Sequence, residues 1–138
     1  MGIKFTGYGR KLMLDNFNGQ RAAHTLSIRL FTDNITPTGA ESLGSLTEPS
    51  VSGYAPANPE GFGAATDDGT SAQTVGTPCV FIVTVDPGSP INVYGYFIKD
   101  ETGTDLVALE RFADAPRTFT YLGDVIPVVP KINLADQS

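Results

Sequence analysis

The residues that could do chemistry are few. The chain holds one histidine, His24, and one cysteine, Cys79. A hydrolytic triad through His24 would need a serine in a context such as a nucleophile elbow, and no Gly-x-Ser-x-Gly occurs. His24 therefore reads as a surface or strand-end residue. One Cys and one His fall short of the four such ligands that a structural zinc site takes. A single cysteine cannot form an internal disulfide, and Cys79 in a Val/Phe/Ile context reads as a small buried hydrophobe. Neither a Gly-x-x-x-x-Gly-Lys-Ser/Thr phosphate loop nor a Gly-x-Gly-x-x-Gly fingerprint is present.

Two acidic groups remain. Asp67-Asp68-Gly69, with Thr66, Thr70 and Ser71 nearby, offers oxygens to calcium. That ion takes six to eight of them, so a plain acidic turn is the simpler reading. Glu110 and Asp114 lie near Arg111 and Arg117. A glycosidase holds two carboxylates a set distance apart across a cleft; with no sign of a cleft, these acids read as surface ion pairs. The absence of tryptophan weakens a sugar-stacking site. The expectation is a protein that is not an enzyme and takes no cofactor and no metal.

The elements that would position any site are mostly strands. Residues 91–112, INVYGYFIKDETGTDLVALERF, place two apolar runs around a polar turn and predict a hairpin. Val, Ile, Tyr and Phe suit a pleated surface, and Asp and Gly supply the turn. Both runs are apolar on both faces, so both faces must be covered, by the fold or by another chain. Gly95, between Tyr94 and Tyr96, marks a bulge or a close backbone approach. Residues 24–32, HTLSIRLFT, alternate Leu26, Ile28 and Leu30 against Thr25, Ser27 and Arg29 and predict a half-buried strand.

Further strands are expected at 79–85 (CVFIVTV), 116–121 (PRTFTY) and 125–134 (VIPVVPKINL), with a weak one near 71–75. Pro127 and Pro130 remove ladder donors, so the last reads as an edge strand. Residues 43–54 read as a short strand or an extended crossover. The stretch 55–77 reads as a long, functional or mobile loop.

One helix is predicted, over residues 8–18 (YGRKLMLDNFN). Thr6 can cap it by accepting a first-turn amide, and Gly19 fits the C′ position. Met13, Leu14 and Phe17 fall on one face, with Leu12 beside them. A helix this short is marginal alone and must pack on the domain or on a partner.

The chain of 138 residues fits one domain. It divides into an N-terminal helical arm, 1–20, and a β-sandwich, 24–138. The fold class expected is all-β, an antiparallel β-sandwich of two packed sheets with jelly-roll topology as one form of it. No stretch approaches the roughly 20 apolar residues of a membrane span. The first residues carry no apolar core of signal-peptide length.

The net charge of −6 is uneven: residues 1–31 carry +4 and the rest −10. An acidic chain argues against nucleic acid as partner. The basic start could dock on an acidic partner or on the acidic body of a neighbouring copy.

The order of these segments resembles a group of small structural proteins of tailed bacteriophages. The pieces that carry the resemblance are 12–17, Leu30-Phe31-Thr32, 35–39, Ser52-Gly53-Tyr54, 95–100, and Gly123-Asp124 with 128–134. The stretch 55–75 has no counterpart. The resemblance brings no catalytic residues. It implies a virion component, assembled in the host cytoplasm, whose partners are the major capsid protein or other virion proteins. A capsid decoration or cement role is the first expectation. A tail or neck protein, or a receptor- or carbohydrate-binding module of a tail fibre, is the alternative. A homo-oligomer is expected, with neither nucleic acid nor membrane as partner. The assembly interface expected from the sequence comprises Arg10, Lys11, Met13, Leu14, Phe17, Tyr94 and Tyr96.

Overall fold

The computed structural model describes residues 2–19, 24–58, 66–67, 69 and 71–135. In chain order the elements are β1 (Lys4–Phe5), α1 (Gly7–Phe17), β2 (Leu26–Phe31), β3 (Thr66–Asp67), β4 (Ser71–Val75), β5 (Cys79–Ile82), β6 (Ile91–Val93), β7 (Gly95–Asp100), β8 (Asp105–Arg111), β9 (Arg117–Phe119), β10 (Val125–Val128) and β11 (Lys131–Ala135). The architecture is all-β and sandwich-like, with one short N-terminal helix.

The β7–β8 hairpin is the centre of a four-stranded antiparallel sheet in the order β1-β8-β7-β2. Both of its faces are covered by the fold itself. On one face Ile28, Leu30, Tyr96, Ile98 and Ala108 join Phe81, Val83, Val93, Phe119, Ile126 and Val128 in one apolar cluster. That cluster brings β5, β6, β9 and β10 over the main sheet. On the other face Phe31, Phe97, Leu106 and Leu109 form a second cluster, closed by Ile35, Leu43 and Leu46. These three lie in residues 32–54, which contain a 3₁₀ turn at Leu43–Ser45 and no strand.

Two expectations change. The apolar run from Ile91 is not one strand. It breaks at Tyr94: β6 pairs with β9, whereas β7 pairs with β2 and β8. The chain crosses from one layer to the other at that point, which is why both faces of the run are apolar. Gly95 marks a close approach. A Cβ built there would overlap the Glu110 carbonyl and the Phe31 ring. The bulge sits further along, at Ile98/Lys99, opposite the extra residue Val107.

The second change concerns the sheets. Two were expected; the described strands form four, the others being β10-β5, β11-β4-β3 and β6-β9. The final segment splits in two at Val129-Pro130, since β10 pairs with β5 and β11 with β4. The stretch 55–77 is accordingly less free than a bare loop. Ala57 bridges Ile28 through backbone bonds of 2.6 and 2.9 Å, and its later part supplies β3 and β4.

The N-terminal segment is built into this core rather than forming a separate arm. Ile3 is buried in the main cluster, and β1 pairs with β8. The bulge at Val107 turns backbone carbonyls toward the helix start. The Thr6 amide donates to the Val107 carbonyl at 3.1 Å, and the Thr6 hydroxyl donates to the Leu106 carbonyl. That same hydroxyl accepts from the Gly9 amide at 3.1 Å and caps α1. Gly19, with φ of 80°, follows the helix end as expected.

Candidate assembly surface

The helix has an inner and an outer face. Gly9, Leu12 and Met13 turn toward the domain. Arg10, Leu14 and Phe17, at i, i+4 and i+7, form an outward stripe. Leu14 is 62% and Phe17 87% exposed, so nothing in the fold covers them. The two cations beside them are already engaged. The Arg10 guanidinium donates to the Phe5 carbonyl at 3.0 Å, and Lys11 pairs with Asp15 at 2.6 Å.

The basic start of the chain is not one basic face. Arg29 lies on β2, where it donates to Glu48 at 2.9 Å and to Glu101 at 2.6 Å. The Ser27 hydroxyl donates to the same Glu101 oxygen at 2.6 Å. Together the hydroxyl and the guanidinium hold the Glu101 carboxyl down at about 2. Arg21 lies outside the described residues.

The tyrosines separate. Tyr96 is 2% exposed and belongs to the main core, which removes it from the expected interface. Its hydroxyl donates to Glu110 Oε1 at 2.9 Å, and its ring lies 6.3 Å from that of Phe112. Burial raises the Tyr96 hydroxyl and the Glu110 carboxyl alike above their usual values. Tyr94 is half-buried at the crossing between layers, packed on the second cluster, with the Arg111 guanidinium 5.2 Å from its ring centroid. Glu110 is thus no surface ion pair, whereas Asp114 does pair with Arg117 at 2.9 Å.

Asp67 Oδ1 accepts from the Gly69 amide at 2.7 Å, closing a tight acidic turn. Asp68 and Thr70 lie outside the described residues. Cys79 is buried, as a small hydrophobe should be.

A second apolar surface lies on the outer side of the β5–β10 pair. Strands β5 and β10 are paired with Val125 opposite Ile82 and Pro127 opposite Val80. Residues directly opposite share a face, as do residues two apart along a strand. Cys79, Phe81, Ile126 and Val128 therefore point inward and are buried. Val80, Ile82, Val125 and Pro127 point outward and are exposed, Val80 by 60%. Tyr121 and Leu122, exposed at the turn before β10, add to the apolar surface. The signal was present in the sequence: neither CVFI nor VIPV carries a polar residue at the alternate positions where a solvated face would place one.

No family model matches the chain, and neither a curated protein nor a solved structure matches it.

Proposed function

We propose that the protein is a non-enzymatic structural component of a bacteriophage particle, a decoration or cement protein that binds the shell through protein–protein contacts. The observation that carries the contact is the outer face of the β5–β10 sheet, where Val80, Ile82, Val125 and Pro127 lie side by side and uncharged. A contiguous apolar patch on a water-facing surface marks an interaction site. Covering it gains on the order of 25 cal/mol per Å². Such a contact is modest in one copy and strong when symmetry repeats it around a shell. The assignment to a phage particle rests on the resemblance in segment order.

The test is binding to purified shells stripped of accessory proteins. Wild-type protein binds them at many sites. Val80→Asp with Val125→Asp keeps its cooperative melt and loses that binding, because two carboxylates would have to be desolvated in the contact. Undiminished binding by the folded double variant removes this face from the contact. Absence of the protein from purified particles removes the virion role, and a few copies at one vertex move it to the tail.

A further inference from the structure

The only histidine in the chain stands beside a cavity and is fixed by a buried carboxylate. His24 Nδ1 lies 2.6 Å from Asp100 Oδ2. The same oxygen accepts from the Tyr8 hydroxyl at 2.7 Å, and Oδ1 accepts from the Thr102 amide at 2.9 Å. Gly103 supplies a further backbone donor and leaves room for the tyrosine, since a Cβ there would overlap the Tyr8 hydroxyl. Asp100 is fully buried. Burial alone would raise its carboxyl, yet the donors around it hold it below the usual range, so it is ionised. An ionised carboxylate only accepts. His24 Nδ1 therefore carries a proton, and in the neutral form of the ring Nε2 is then the acceptor. Among the described residues no protein group bonds Nε2.

His24 borders a cavity of about 310 Å³ between α1 and the main sheet. Phe5, Leu12, Met13, Leu26, Val107 and Ile132 make its wall apolar. Asp15 and Asn16 border it on the helix side. The volume suits roughly ten heavy atoms at the ~30 Å³ that a water-sized group takes in a liquid. Asp15 on the cavity wall and the ionised Asp100 behind His24 disfavour an anion. Asp100 is already saturated with donors and Asp15 already pairs with Lys11, so a cation would lose its hydration without a free counter-charge.

We infer that this cavity binds a small uncharged molecule with an apolar body and one hydroxyl, a phenol or an alcohol, whose O–H donates to His24 Nε2. The site is independent of the assembly surface. The Asp100–His24 pair acts in it as a positioned acceptor, not as a catalyst.

The single imidazole gives the test an unambiguous readout, the ¹⁵N resonances of the His24 ring in the full chain. Titration with p-cresol shifts Nε2 saturably and leaves Nδ1 protonated. Toluene binds about two- to tenfold more weakly, the value of one neutral hydrogen bond, and leaves Nε2 unmoved. 4-Methylbenzoate does not compete. In His24→Phe, p-cresol and toluene bind equally. Should that variant fail to fold, Met13→Trp, which fills the cavity from the helix, must abolish the p-cresol shift while the ring keeps its Nδ1 proton. An Nε2 resonance indifferent to p-cresol, or a shift that survives Met13→Trp, overturns the site.

Discussion

Gly9 of the helix sits directly on the backbone of Val107, the extra residue of the β8 bulge. A Cβ built on Gly9 would overlap the Val107 carbonyl oxygen and stand 2.9 Å from the carbonyl carbon. In an exposed helix, Gly→Ala stabilises by roughly 0.5–1 kcal/mol. Here the contact is with backbone, which cannot swing aside. Gly9→Ala is expected to destabilise by about 1–3 kcal/mol through overpacking. A chemical denaturation midpoint that rises instead would mean the helix is not seated on β8.

The same seating predicts the fate of a truncation. Removing residues 1–20 deletes Ile3 from the core, uncovers the β8 edge and strips the partners from the Leu106 and Val107 carbonyls. The expected outcome is loss of the cooperative melt, read by circular dichroism. A shortened chain that melts like the parent would restore the picture of a detachable arm.

Phe97 faces the second apolar cluster and is almost fully buried. Phe97→Ala should cost about 3–5 kcal/mol by loss of transfer energy and by the cavity left behind. Urea titration resolves a change of that size easily. No measurable change would place the ring in solvent and reverse the register of β7.

Acid should weaken the fold partly through Glu101. Its carboxyl, ordinarily near 4.5, is held at about 2 by Ser27 and Arg29. A group depressed in the folded state contributes stability above its unfolded value, and that contribution fades as pH falls from 4.5 toward 2. Glu101→Gln should therefore flatten this part of the acid limb when denaturation midpoints are compared at pH 7, 4.5 and 2.5. Parallel limbs for parent and variant would show that the Arg29 network adds nothing.

If the helix stripe also meets the shell, charge should matter less there than apolar area. Lys11 is already paired with Asp15, and exposed pairs are worth little and are screened by salt. Leu14→Ser with Phe17→Ser should weaken shell binding more than Arg10→Glu with Lys11→Glu does. The reverse order, together with a steep fall in binding as salt rises, would make the stripe an electrostatic contact.

Short-range chemistry was legible in the chain. Thr6 as cap, Gly19 past the helix end, the alternation of Leu26, Ile28 and Leu30, and the turn inside the β7–β8 hairpin each depend on residues within a few positions of one another. The all-β class follows from the same local signals. Long-range pairing was not legible, because it depends on which distant segment arrives. Tyr96 and Val80 sit in equally apolar runs; only the tertiary structure buries the first in the main cluster beside Phe112 and leaves the second bare. The charge of Arg29 looked free until Glu48 and Glu101, 19 and 72 residues away, came to meet it. His24 is exposed at the end of a strand, as its sequence context suggested, but its partner Asp100, 76 positions distant, was not legible. A side chain's type decides what it can bond or bury, and the folded chain decides what comes within reach.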